Sequence, residues 1–212
     1  MHQVMTTRIA RTLAAAGLAV LLVNTSPFAE QTVARIRGEI TKVDGDDLTI
    51  KARDGAELKV KLANNLRVMS LVKASLADIK PNAYIGVTAM PEPDGSQRAI
   101  AIHLFTEGQR GTAEGFRPWD LRPNSTMTNG AVETTVAGVD GQVLTVKYKQ
   151  GYQSDEKKVV VPKDATIVAY APGDKSELKP GAQIIIFAAT KEADGSFLTS
   201  GVTVGRGVTP PM

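Results

Sequence analysis

The sequence predicts an all-β protein of two small barrels. Three observations carry that prediction. A stretch of about seventy residues occurs twice in the chain. In both copies apolar and polar residues alternate with a period of two, the sign of half-buried strands. Turn-forming steps, Asp-Gly, Lys-Pro-Asn or Lys-Pro-Gly, and Asp-Gly-Ser, punctuate those runs at short intervals. The composition agrees. Of 212 residues 42% are hydrophobic but only 5% aromatic, so the cores must be aliphatic, and 19 Gly with 11 Pro leave room for many turns.

The first element is an N-terminal signal. Arg8 and Arg11 precede an uncharged, mostly apolar run, Leu13 to Val23, and Asn24 to Ala29 supply small and turn residues. This is the layout of a cleavable secretory signal peptide, expected over 1–29 with cleavage after Ala29. The run is too short to span a bilayer comfortably. The expected location is therefore periplasmic or secreted. Removing the signal leaves 23 Lys and Arg against 22 Asp and Glu. Nucleic-acid binding needs a cationic footprint, which a nearly neutral chain does not supply. No later segment is a run of about twenty apolar residues, so no transmembrane helix is expected in the mature chain. With no Cys, disulfides and thiolate chemistry are excluded.

The repeat is collinear. Val43-Asp44-Gly45-Asp46-Asp47-Leu48-Thr49-Ile50-Lys51 matches Val139-Asp140-Gly141-Gln142-Val143-Leu144-Thr145-Val146-Lys147. Lys80-Pro81-Asn82-Ala83 matches Lys179-Pro180-Gly181-Ala182, and Asp94-Gly95-Ser96 matches Asp194-Gly195-Ser196. Two copies suggest two similar domains rather than a solenoid, expected at 30–106 and 132–206, with a linker at 107–131 and a tail at 207–212.

Within each copy the strands can be placed in order. Arg35 to Val43 is extended, and Asp44-Gly45 turns it into a second strand in which Leu48 and Ile50 face inward. Leu58, Val60 and Leu62 alternate with Glu57, Lys59 and Lys61. Ser75 to Ile79, matched by Lys175 to Leu178, forms a short helical turn. Tyr84 to Ala89 and Arg98 to Phe105 complete copy one. Gln183 to Ala188 and Phe197 to Val204 complete copy two. Five or six short strands in about seventy residues imply a small barrel, and five strands with a helical turn between the third and fourth fit an OB-like barrel.

At this level the chain resembles a bacterial exported domain family of unknown function built of tandem OB-like barrels. The motifs that carry the likeness are the hydrophobic-Asp-Gly turn, Leu-Thr-Ile/Val, Lys-Pro-Asn/Gly and Asp-Gly-Ser, over most of 34–106 and 132–206. They are mostly turn chemistry and imply a fold rather than an activity. Some similar sequences carry the label metal ABC transporter permease, which the absence of long apolar runs argues against.

Functional candidates concentrate in the linker. Residues 107–131 have no counterpart in either copy and hold the only Trp, Trp119, flanked by Arg117, Asp120 and Arg122. Trp and Arg anchor interfaces, so these four residues are the candidate binding site. The competing reading is packing: Trp119 plugs a seam between the barrels while Arg117 pairs locally with Asp120. His103 is the only His of the mature chain, and its alternation with Ile102 and Leu104 points it away from the core, to an exposed surface. No nucleophile motif accompanies it. No catalytic residue, metal ligand set or cofactor is assigned. The expected function is an exported, non-enzymatic binding or interaction protein, taking a protein partner or small solute. The alternatives are a metal-handling accessory protein using Met and oxygen ligands, or a hydrolase using carboxylates and His103. A surface-exposed Trp119 within a pocket would favour ligand binding, and a fully buried Trp119 between the barrels would favour packing.

Overall fold

Alternating side chains form strands wherever turns return the chain, and the computed structural model shows twelve of them among the described residues, 33–139 and 141–211. The signal expected over 1–29, Asp140 of the second copy's turn, and Met212 of the tail lie outside those residues. The protein is all-β. Its helical segments among the described residues are three single 3-10 turns, Leu76–Asp78, Glu107–Gln109 and Lys175–Glu177.

Copy one contributes β1 (Val33–Asp44), β2 (Asp47–Ala52), β3 (Glu57–Lys73), β4 (Tyr84–Pro91) and β5 (Gln97–Leu104). The linker contributes β6 (Gly115–Pro118). Copy two contributes β7 (Thr126–Gly138), β8 (Gly141–Gln150), β9 (Gln153–Pro162), β10 (Thr166–Pro172), β11 (Gln183–Lys191) and β12 (Phe197–Gly205). The turns carry the expected backbone. Gly45, Gly95, Gly181 and Gly195 have positive φ, and Asn82 takes the same conformation at φ 63°, which Asn tolerates better than most residues.

The strands close into two five-stranded rings. Ring 1 runs β1–β2–β3–β12–β11 and back to β1. Ring 2 runs β7–β8–β9–β5–β4 and back to β7. Each has its own aliphatic core. Ile40, Leu48, Ile50 and Ile186 fill ring 1, and Ile85, Ile102, Leu144 and Val161 fill ring 2. Burying an aliphatic side chain of this kind stabilises by about 1.5–3 kcal/mol.

Neither ring is built from one repeat. Ring 1 takes its first three strands from copy one and its last two from copy two, and ring 2 does the reverse. The boundaries at 106 and 132 therefore separate two copies of sequence, not two rings. The cause lies in β3. It runs 17 residues, roughly 55 Å at ~3.3 Å per residue, and carries the chain out of ring 1 instead of returning it. Its end pairs antiparallel with β10, with Leu71 opposite Tyr170. Under the repeat those two residues are each other's counterparts, so a pseudo-twofold axis passes between them. Lys163 to Ala165 splits the corresponding strand of copy two into β9 and β10, and both halves pair parallel with β5.

The linker is more ordered than its sequence suggests. Residues 126–131 already belong to β7, and β6 pairs with β7. Between them Trp119 to Ser125 forms a tight loop. The Trp119 N–H donates to the Ser125 carbonyl at 2.7 Å, and Ser125 Oγ donates to the carbonyls of Trp119 and Arg122.

Candidate functional site

The two rings meet at a seam. One part is apolar, with Leu71, Val168 and Ile185 fully buried against one another. The other holds a cavity of about 370 Å³ whose walls come from both rings and are capped by the linker, a volume within the usual range for small-molecule sites.

The ring 2 wall is a row across three neighbouring strands: His103 on β5, Gly86 on β4 and Asn129 on β7. Glycine is required in the middle. A Cβ at Gly86 would lie 2.1 Å from His103 Nε2 and 2.8 Å from Asn129 Oδ1. The Nε2–Cε1 edge of the imidazole therefore occupies the space a side chain at position 86 would need, and the histidine is 3% exposed. Phe105 and Tyr170 meet it edge-on at 4.9 and 5.6 Å and stack on each other at 5.3 Å. Burial, aided by the Arg117 charge, pushes its pKa down to about 3, so it is neutral at ordinary pH. This corrects the exposed surface histidine that the strand pattern implies. The alternation gives the correct face, but the second ring covers that face.

The ring 1 wall supplies Arg35, Met69, Phe187 and Thr203, and the cap supplies Arg117 and Trp119. The Arg35 guanidinium lies 3.9 Å over the Trp119 ring, and that of Arg117 lies 5.6 Å from it, a stacked cation–π arrangement. Asp120 ties the linker to ring 1. Its carboxylate accepts from Arg35 and Arg37, each at 2.7 Å. Partial burial pushes its pKa up, but the bonds from Arg37 and Arg35 outweigh this and hold it at about 2. The local Arg117–Asp120 pair expected from sequence does not form. Arg117 instead donates to the Ala113 carbonyl at 2.8 Å, and Ala113 is held at φ 45°.

Of the four linker residues singled out by sequence, Arg117 and Trp119 line the cavity, and Asp120 braces it from outside. Arg122 is exposed and does not line it. Trp119 is half-buried rather than sealed in the seam. Sequence reasoning missed Arg35, Asn129, Tyr170 and Phe105, which lie on regular strands or beside them. The one available signal was Gly86 inside an otherwise apolar strand, which marks a close approach.

Four polar atoms on residues lining this cavity are buried with no hydrogen-bond partner within the protein: Arg35 Nε, His103 Nδ1, Trp119 Nε1 and Asn129 Oδ1. Seven such atoms occur among the described residues, so most gather in this one place. Each costs about 1–3 kcal/mol if left unsatisfied. A larger groove of about 870 Å³ runs between Asp174–Gln183 and the C-terminal segment. Two of its charges pair with each other, Arg206 with Glu177 at 2.8 Å. Among the described residues no three His, Asp or Glu side chains converge as metal ligands, and no helix is long and apolar enough to cross a membrane. No family model, no curated protein and no solved structure matches this chain.

Proposed function

We propose that this is an exported, non-enzymatic binding protein that holds a small solute in the cavity between its two rings. One observation carries the reading: four unpartnered buried polar atoms gather around an aromatic-walled cavity of ligand size. Buried polar groups are ordinarily satisfied, and a ligand that satisfied these would gain what the folded protein alone forgoes. The strand order of each ring, with its third and fifth strands parallel, supports an OB-like reading of both barrels, built by exchange. The His103 environment favours binding over hydrolysis. An imidazole depressed this far is a poor base at neutral pH, and its Nδ1 has no orienting acid.

A soft monovalent cation is the second reading. The thioethers of Met69 and Met127 line the same cavity as the unpartnered imidazole, and soft ligands select Cu(I)-like ions. The nearby charges of Arg35 and Arg117 oppose it.

The test is a panel of sugars, amino acids, aromatic acids, aromatic amides, divalent metals and silver ion. Each is scored by melting temperature and by emission from Trp119, the only Trp in the chain. A ligand at a hundredfold its Kd stabilises by about 2.7 kcal/mol, a shift of a few degrees for a domain of this size. A solute that moves both signals supports the reading. A panel in which none moves either contradicts it.

A further inference from the structure

We infer that the cavity between the rings is built for a small aromatic carboxylate with a hydrogen-bonding substituent at its far end. This deepens the binding reading above and rests on it.

The charge of the walls sets the sign of the ligand. Arg35 and Arg117 line the cavity, while no Asp or Glu does. Asp120 lies outside that lining and is held by Arg35 and Arg37. A neutral His103 adds no charge. The interior is therefore cationic, which favours an anion, and low-dielectric walls strengthen that preference.

The unpartnered donors set the position of the anion. Asp120 engages the Nη1 end of Arg35, leaving Nε buried without an acceptor. The Trp119 indole Nε1–H is in the same state, and the guanidinium sits 3.9 Å over that indole ring. The two side chains that carry these donors therefore pack together on one side of the cavity. A carboxylate supplies two acceptor oxygens, and charge-assisted bonds to it are about twice as strong as neutral ones.

The walls set the body and the far end. Phe105, Tyr170 and Trp119 offer aromatic surface that favours a planar ring. Asn129 donates from Nδ2 to the Thr112 carbonyl at 3.1 Å, which fixes its amide and leaves Oδ1 as an unfilled acceptor beside His103. A ligand hydroxyl can donate there. A cavity of about 370 Å³ packed at protein density holds on the order of ten to twenty non-hydrogen atoms, the size of a substituted benzoate.

The experiment titrates the full protein with 4-hydroxybenzoate, 4-hydroxybenzamide, benzoate and silver nitrate, following Trp119 emission and binding heat. The proposal expects 4-hydroxybenzoate to bind at least tenfold more tightly than its amide, and more tightly than benzoate. Arg117→Gln should lower affinity for the acid at least tenfold while leaving the amide within about twofold. Equal binding of acid and amide overturns the anion assignment and leaves the solute-binding reading standing. Binding of silver alone overturns it in favour of the soft-cation reading. Silence to all four in both signals overturns the proposal and removes the main support for the cavity as a site.

Discussion

The pseudo-twofold axis places corresponding strands of the two rings against the same seam, yet the seam is not symmetric. In ring 2 the row across β5, β4 and β7 reads His103, Gly86, Asn129. The corresponding row of ring 1, across β12, β11 and β1, reads Thr203, Ile185, Arg37. Where ring 2 has a glycine that makes room for the imidazole, ring 1 has a fully buried isoleucine that fills the apolar seam. Tyr170, which forms part of the aromatic wall, faces Leu71, its own counterpart. The duplication thus builds the frame, and departures from the duplication build the site. The linker, present only once, roofs that side.

The largest effect should come from breaking the filled half. Ile185→Ala removes a fully buried side chain and should cost about 2–5 kcal/mol by urea unfolding, with little change in Trp119 emission. A loss under about 1 kcal/mol would mean that Ile185 does not fill the seam as described.

Acid should separate the two rows next. The ordinary His pKa is near 6.5, and in the folded protein burial holds His103 at about 3. The unfolded chain binds the extra proton first, so stability is retained above about pH 6.5 and falls as pH drops toward 3. At pH 4.5 the loss attributable to His103 is about 2–3 kcal/mol. His103→Gln should flatten unfolding midpoints between pH 6.5 and 4.5, whereas Thr203→Val should leave that slope alone. Below pH 4 the Asp120 pairs add a second loss, because that carboxyl is held at about 2.

Gly86→Ala should cost about 1–3 kcal/mol, since its Cβ falls 2.1 Å from the imidazole. The displaced ring should move into the cavity, and Trp119 emission should report it. An unchanged emission would place the histidine elsewhere. Asp120→Asn is the mildest change. The carboxylate is about half exposed, so its ion pairs should be worth under about 1 kcal/mol, read as a small fall in melting temperature. A loss of several degrees would make the linker's anchor a structural pillar rather than a brace.

Much of the frame was legible in the sequence. Period-two alternation located Leu48, Ile50, Val60 and Leu62 on the inner face, and Asp-Gly and Lys-Pro steps located the turns. The exchange was not legible, for a physical reason. Alternation says which face of a strand is buried, not which copy's strands complete the ring. Two copies with equivalent core faces offer two closures of similar quality. What selects between them is the uninterrupted run of β3 through Lys73, whose last residues read as an ordinary strand end until β10 is seen beside them. The site was half legible. Trp119 and Arg117 stand out by composition, but Arg35 reads as an ordinary residue of the first strand, Asn129 as part of the linker, and Tyr170 belongs to no motif, because their burial depends on a ring that the local sequence does not encode.

The exchange and the cavity it creates can be tested together with two half chains, residues 30–122 and 123–212. Only the first carries the Trp. Each half supplies the strands that the other half's ring lacks, so each alone should be unfolded or self-associated, with Trp119 open to acrylamide quenching. Mixing should give a one-to-one complex by light scattering, with Trp119 emission and quenching restored to those of the intact chain. If each half instead folds alone as a stable monomer and mixing changes neither mass nor Trp119 accessibility, the rings do not share strands and the cavity between them does not exist as described.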